Sequence, residues 1–304
     1  MSSVAGDLAT ILSSGIRLTA PLAFAACGEY LAERAGTLNV SVEAMMLSAA
    51  FGSIAVADLT GSATAGLLAG VLLGALVGLV HGALSHRWHV NTFVVGLVLN
   101  ALVLGLTSYL VTVGDLGRHQ VAQVSVPGLR DLPVLGAPLF VERWPVYLLL
   151  ALVPLAWWLV ERSRWGLELR AAGENPEAAD MTGIRVNLRR RQALLWCGAL
   201  SGLGGAYLAV GEVGSFNQNM TAGRGYLVIA AVIFGGWRLG RTLAGCAVFG
   251  LADALRLALP ALGYTVNSQL LVSAPYLLAL LAMLLFTTRQ RRPGALAQPF
   301  RRAS

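Results

Sequence analysis

The sequence contains no lysine, and only 12% of its 304 residues are charged. A soluble domain of this size carries about 25% charge to cover its surface. Half that value excludes a chain whose surface lies mostly in water. A Walker loop ends in Gly-Lys-Ser or Gly-Lys-Thr, so without lysine the chain cannot hydrolyse ATP by that route. Cysteine is scarce too: Cys27, Cys197 and Cys246 lie far apart inside apolar runs. That spacing excludes a disulfide framework and leaves three small packing residues. There is no nucleophile elbow and no credible triad, so no catalytic residue is expected. Nor is a metal site: His81, His86 and His89 stand at steps of five and three residues without a helical carboxylate. Their expected place is the membrane interface beside Arg87. The N-terminus lacks the basic region of a signal peptide, and the first apolar run begins after Asp7.

What is abundant is apolar. Hydrophobic residues make up 56% of the chain and the mean hydropathy is +0.69. Runs long enough to cross about 30 Å of hydrocarbon recur along nearly the whole length. They fall at approximately 8–27, 38–57, 64–85, 92–113, 144–160, 192–211, 219–236, 239–258 and 270–288. The net charge of +7 comes from arginine, mainly in the stretches Arg162 to Arg191 and Arg289 to Arg302. Positive charge flanking apolar spans marks cytoplasmic loops rather than a nucleic-acid surface. The expectation is an all-α, polytopic membrane helical bundle of about nine spans (eight to ten). Residues 161–191 and the C-terminus would lie inside, and 114–143 and the N-terminus outside.

The third span carries Gly66, Gly70, Gly74, Gly78 and Gly82, one on every fourth residue. Four residues advance about 400° around a helix, so the glycines form one slowly winding groove for close helix packing. The stretch from Tyr30 to Asn39 recurs loosely, with one extra residue, from Tyr207 to Asn217. Each copy follows one apolar span and precedes three more. With the orientation above, the halves 8–113 and 192–288 become inverted repeats within a single transmembrane domain, 1–304, whose broken helices would meet near the midplane.

The segment 161–191 holds the clearest local signal. Asn175 suits an N-cap and Pro176 the first helical position. Glu177 and Asp180 favour the positive end of a helix, and Gly183 can close it in a left-handed turn. This predicts a short helix over 176–182. Such a helix is too short to be stable alone in water, so something must dock it.

The run Gly173-Glu174-Asn175-Pro176-Glu177-Ala178-Ala179-Asp180-Met181-Thr182-Gly183-Ile184 resembles the cytoplasmic coupling motif of ATP-binding-cassette importer permeases for simple sugars, nucleosides and branched-chain amino acids. Glu33 to Leu47 is similar to that family's N-terminal signature, and Gly214 to Gly236 to its C-terminal one. Together these motifs span most of the chain, 29 to 241. Glu43 with Met45-Met46 looks like the nucleoside-type branch, whereas the ribose-type branch carries aspartate and serine there. Ala44 departs from the usual glycine, and the family often has one more N-terminal span.

The resemblance implies a non-enzymatic permease subunit of a bacterial cytoplasmic (inner) membrane importer. Two permeases, identical or related, would pair, and two ATPase subunits would bind from the cytoplasm. An external binding protein would deliver the substrate. ATP and magnesium would be used by the partner ATPase, with no cofactor in this chain. Glu174, Asn175, Pro176, Glu177, Ala178, Ala179 and Gly183 would serve coupling. Asn39, Glu43, Asn217, Asn219 and Thr221 are polar groups in or bordering apolar spans, where such groups line a water-filled path or bond between helices. Asparagine, threonine and backbone groups suit a nucleoside's hydroxyls and base. A pentose permease and a self-contained secondary transporter are the alternatives. In the latter, Glu43 is the only candidate ion relay.

Overall fold

The computed structural model describes residues 2–114, 116–125, 128, 136–261, 267–286 and 292–301. Parts of the loop 114–143 and of the arginine stretch 289–302 therefore lie outside the described residues. The chain runs α1 (Ser2–Arg34), α2 (Val42–Thr60), α3 (Ala63–His86) and α4 (Thr92–Val113), all helix as the apolar runs require. A two-stranded ribbon, β1 (Gln123–Ser125) with β2 (Val141–Arg143), pairs Val124 with Glu142 and is separated by the single helical turn α5 (Gly136–Phe140). Then follow α6 (Trp144–Glu161), α7 (Arg164–Glu174), α8 (Pro176–Met181) and α9 (Val186–Ala206), which continues as a π-helical turn over Tyr207–Val213. Finally come α10 (Arg224–Phe234), α11 (Leu239–Ala261) and α12 (Ser268–Phe286).

Seven helices among the described residues are long and apolar enough to cross a membrane. The expected count of about nine is not confirmed among them. The run 219–236 is the main correction. Its hydropathy is continuous, but the backbone turns through left-handed residues at Ala222, Gly223, Gly236 and Trp237, leaving eleven residues of helix in α10. Eleven residues rise about 16 Å, roughly half a bilayer core.

The glycine groove of α3 does what its spacing predicts, and α9 supplies the other half. A side chain at Gly74 would strike the Gly198 carbonyl, one at Gly198 would strike Gly74, and one at Gly78 would strike the carbonyl of Leu194. Small residues on both helices let the two backbones touch, which is where close packing replaces hydrophobic force in lipid. Helices α1, α2, α3 and α9 thus form the centre, with Phe24, Leu47, Ile54 and Tyr207 buried between them. Apolar side chains on α3, α4 and α6, among them Leu72, Leu102 and Leu150, point outward, as a bilayer-facing surface requires.

Candidate functional site

Two interruptions of the helical chain meet inside the molecule. The break at 35–41, named inner for its expected side, separates α1 from α2. The break at 214–223, named outer likewise, separates the π-helical turn from α10. Each helix start leaves backbone N–H groups without intrahelical partners, and here both are capped from a distance. The Asn100 Oδ1 atom on α4 accepts from Ala44 N at 2.9 Å, at the start of α2. The Glu43 carboxylate, itself in the first turn of α2, accepts from Gly223 N (2.8 Å), Gly225 N (2.7 Å) and the Thr221 hydroxyl (2.5 Å) at the start of α10. Two positive helix ends thus converge on one carboxylate. Gly225 is required there, because a Cβ would press on the Glu43 backbone.

The five predicted pathway residues divide into two groups. Glu43 and Thr221 form this joint and are buried. Asn39 is buried in the inner break. It donates to Glu29 Oε2 at 3.0 Å and accepts from the Ser41 hydroxyl at 2.7 Å. The Ser41 hydroxyl then meets His81 Nδ1 at 2.7 Å, and His81 Nε2 meets Thr92 at 2.8 Å. Asn217 and Asn219 are exposed on the outer break, with no side-chain hydrogen bond among the described residues. The histidines are a correction: His81 and His86 are buried, and His86 Nε2 bonds Thr37 at 2.9 Å. They brace the inner break rather than sit in the interface.

Sequence reasoning missed Asn100 and Tyr226. Asn100 Nδ2 donates to Val40 O and to Tyr226 Oη, both at 2.9 Å, so one side chain ties the inner break to the first turn of α10. Its signal was available: an amide at the middle of the apolar run 92–113. Arg224, the first residue of α10, pairs with Asp253 at 2.5 Å, and Asp253 also holds Arg256.

The loop helix forms where expected. Asn175 Oδ1 accepts from Ala178 N at 3.0 Å, Pro176 is the first helical residue, and Gly183 closes the turn at φ +88°. Glu174, Glu177, Ala178 and Gly183 are exposed. Ala179 is not: it packs with Ala172, Val186 and Phe300 on the underside. The outer face is instead crowned by Met181, 89% exposed, an apolar residue held out in water on a six-residue helix.

Spans with small-residue packing and helices broken within the bundle are features of a membrane transporter. Residues 11–288 match the family described as the permease component of the branched-chain amino acid transport system, and the chain belongs to that family. It is a permease subunit of an ATP-binding-cassette importer, not an enzyme. The nucleoside ABC transporter permease NupC of Lactococcus lactis is 32% identical, over 96% of this chain and 97% of its own. The guanosine ABC transporter permease NupQ of Bacillus subtilis is 30% identical, with the same shares covered. A putative glucose ABC transporter permease of Haloferax volcanii is 32% identical over 99% of both chains.

Proposed function

We propose that this permease carries nucleosides into the cell, along a face bordered by the outer break. The observation that carries this reading is the character of that break. Asn217 and Asn219 are exposed there and Tyr226 is exposed in the first turn of α10, whereas Glu43 and Asp253 are already occupied by donors. Amides and a phenol suit hydroxyls and a base edge. A zwitterionic amino acid would need a free carboxylate for its ammonium group, since a buried unpaired charge is costly. The likeness to NupC and NupQ points the same way.

In this reading the two halves, 8–113 and 192–288, are inverted repeats with their breaks joined at Glu43, and a second permease covers the exposed face. The C-terminus and α8 are cytoplasmic, and an ATPase subunit takes Ala178 and Met181 into a groove. A binding protein meets the opposite side.

The test is radiolabelled uptake by cells expressing the permease together with its ATPase and binding protein. Uridine and adenosine should compete at micromolar concentration, and ribose and leucine should not. Competition by ribose equal to that of uridine would sink the nucleoside reading. The glucose-permease relative supports a sugar as the second reading, and glucose in the same competition series separates the two.

A further inference from the structure

Arg190, four residues into α9, is fully buried and takes no part in the path described above. Its guanidinium donates to three carbonyls on three separate segments. Nε reaches Ala35 O at 3.1 Å, at the start of the inner break. Nη2 reaches Ala172 O at 3.1 Å, on α7. Nη1 reaches Gln298 O at 2.7 Å, on the C-terminal tail. No carboxylate pairs with it among the described residues. A buried cation satisfied only by backbone oxygens is held by its geometry, because moving any one carbonyl leaves part of the charge unsolvated.

The tail 292–301 completes the connection. Ala295 N bonds Gly173 O at 2.9 Å, beside the loop helix, and Ala297 N bonds Gly36 O at 3.0 Å, in the inner break. Phe300 lies in the apolar cluster beneath Ala179 of α8. Thus the underside of α8 and the inner break share one strap and one arginine. Gly36 is left-handed at φ +87°, and a side chain there would press on Arg190 Nη2. A cavity of about 110 Å³, lined in part by Gly36, Ser85, His86, Thr92 and Ala297, adjoins the tail and leaves it room to shift.

We propose that Arg190 is a positioning residue which, with the tail 292–301, transmits displacement of α8 to the inner break and so to the Glu43 joint. The proposal rests on the reading of α8 as the ATPase dock. Residues 35 to 43 form one short covalent path from the carbonyl that Arg190 holds to the carboxylate that caps α10. Lysine cannot substitute, since its single ammonium lacks the planar fork that reaches three oxygens at once.

The test is hydrogen exchange on the complete complex with its ATPase in lipid nanodiscs, nucleotide-free against trapped with ATP and vanadate. In the wild type, exchange should change on trapping in peptides covering 173–184 and in those covering 35–41. In Arg190→Gln the change at 173–184 should persist, while that at 35–41 falls about tenfold, within the range usual for coupled sites. Arg190→Lys should not rescue it. Phe300→Ala, which leaves the guanidinium bonds intact, should give the same pattern in weaker form. A full wild-type response at 35–41 in both Arg190→Gln and Phe300→Ala overturns the proposal. So does loss at both segments in Arg190→Gln with no loss in Phe300→Ala, which marks Arg190 as a fold-wide strut. A wild-type complex that responds at 173–184 but not at 35–41 refutes the relay alone. One silent at both segments refutes the docking reading and the relay together.

Discussion

The inner and outer breaks come from similar stretches of sequence and meet different ends. Within 35–41 nearly every polar group is spent on the protein itself. Glu29, Asn39, Ser41, His81 and Thr92 form one buried chain, and only Gly36 is left-handed. Within 214–223 four residues are left-handed: Gly214, Asn219, Ala222 and Gly223. Two of these are not glycine, and Asn217 and Asn219 keep exposed, unbonded amides. A left-handed alanine costs about 1–2 kcal/mol and persists only where its surroundings hold it. Here the Tyr276 phenol donates to Ala222 O at 2.6 Å. The inner break is therefore a satisfied hinge. The outer one stores strain and presents side chains, as a binding segment does.

The contact between them should give the largest effect. Glu43→Leu strips three donors of their acceptor at once, costing on the order of 3–9 kcal/mol at about 1–3 kcal/mol for each unsatisfied group. Membrane yield and uptake should both collapse. Glu43→Gln keeps one acceptor oxygen but turns an amide against a backbone N–H, so intermediate thermal stability is expected. Normal uptake and melting temperature in Glu43→Leu would show that the joint is not what unites the breaks.

A paired substitution sharpens the contrast next. Asn39→Leu withdraws the Nδ2 donor from buried Glu29 and the acceptor of the Ser41 hydroxyl, and should lower stability by about 1–3 kcal/mol. Asn217→Leu removes no hydrogen bond and should leave the melting temperature unchanged, while uptake per permease molecule drops several-fold. Thermal melts in detergent, with uptake normalised to membrane protein, separate the two. Equal stability losses in both variants would erase the distinction between hinge and binding segment.

Ala222→Gly tests the stored strain. Glycine adopts φ +46° without the Cβ penalty, so the variant should gain about 1 kcal/mol, less whatever added freedom glycine has when unfolded. Loss of stability would mean that Ala222 is at ease where it stands.

Residue by residue, what the sequence disclosed tracks how local each cause is. The helix from Pro176 to Met181 was legible because its cap, its proline and its closing glycine all lie within nine residues. The α3 groove was legible because glycine spacing is a property of one helix. The burial of His81 was not, since its partners Ser41 and Thr92 stand 40 and 11 residues away. Apolar runs gave most spans to within a few residues. Hydropathy does not register left-handed turns, however, so 219–236 read as one full crossing. Ala179 and Ala178 look alike in sequence, and only the distant Phe300 decides that one faces in.

The smallest expected effect lies in the ribbon beside the outer break. Glu142 on β2 is buried, accepts from the Ser13 hydroxyl at 3.3 Å and has Glu212, Arg17 and Arg143 near it. Burial strips water from its carboxylate and pushes the pKa from 4.5 up to about 7, with Arg17 opposing. A folded-state pKa above the unfolded value means the folded form binds the proton more tightly. The group's stabilising contribution is therefore complete below about pH 4.5 and lost as pH rises through about 7. Glu142→Gln removes the titration while keeping an acceptor for Ser13. The difference in melting temperature between wild type and variant should thus change between pH 5 and pH 8, with the wild type relatively weaker at pH 8. Titrating groups away from Glu142 are common to both proteins and cancel in that difference. If the difference stays flat across this range, Glu142 is ionised throughout, and the ribbon holds no proton beside the strained break.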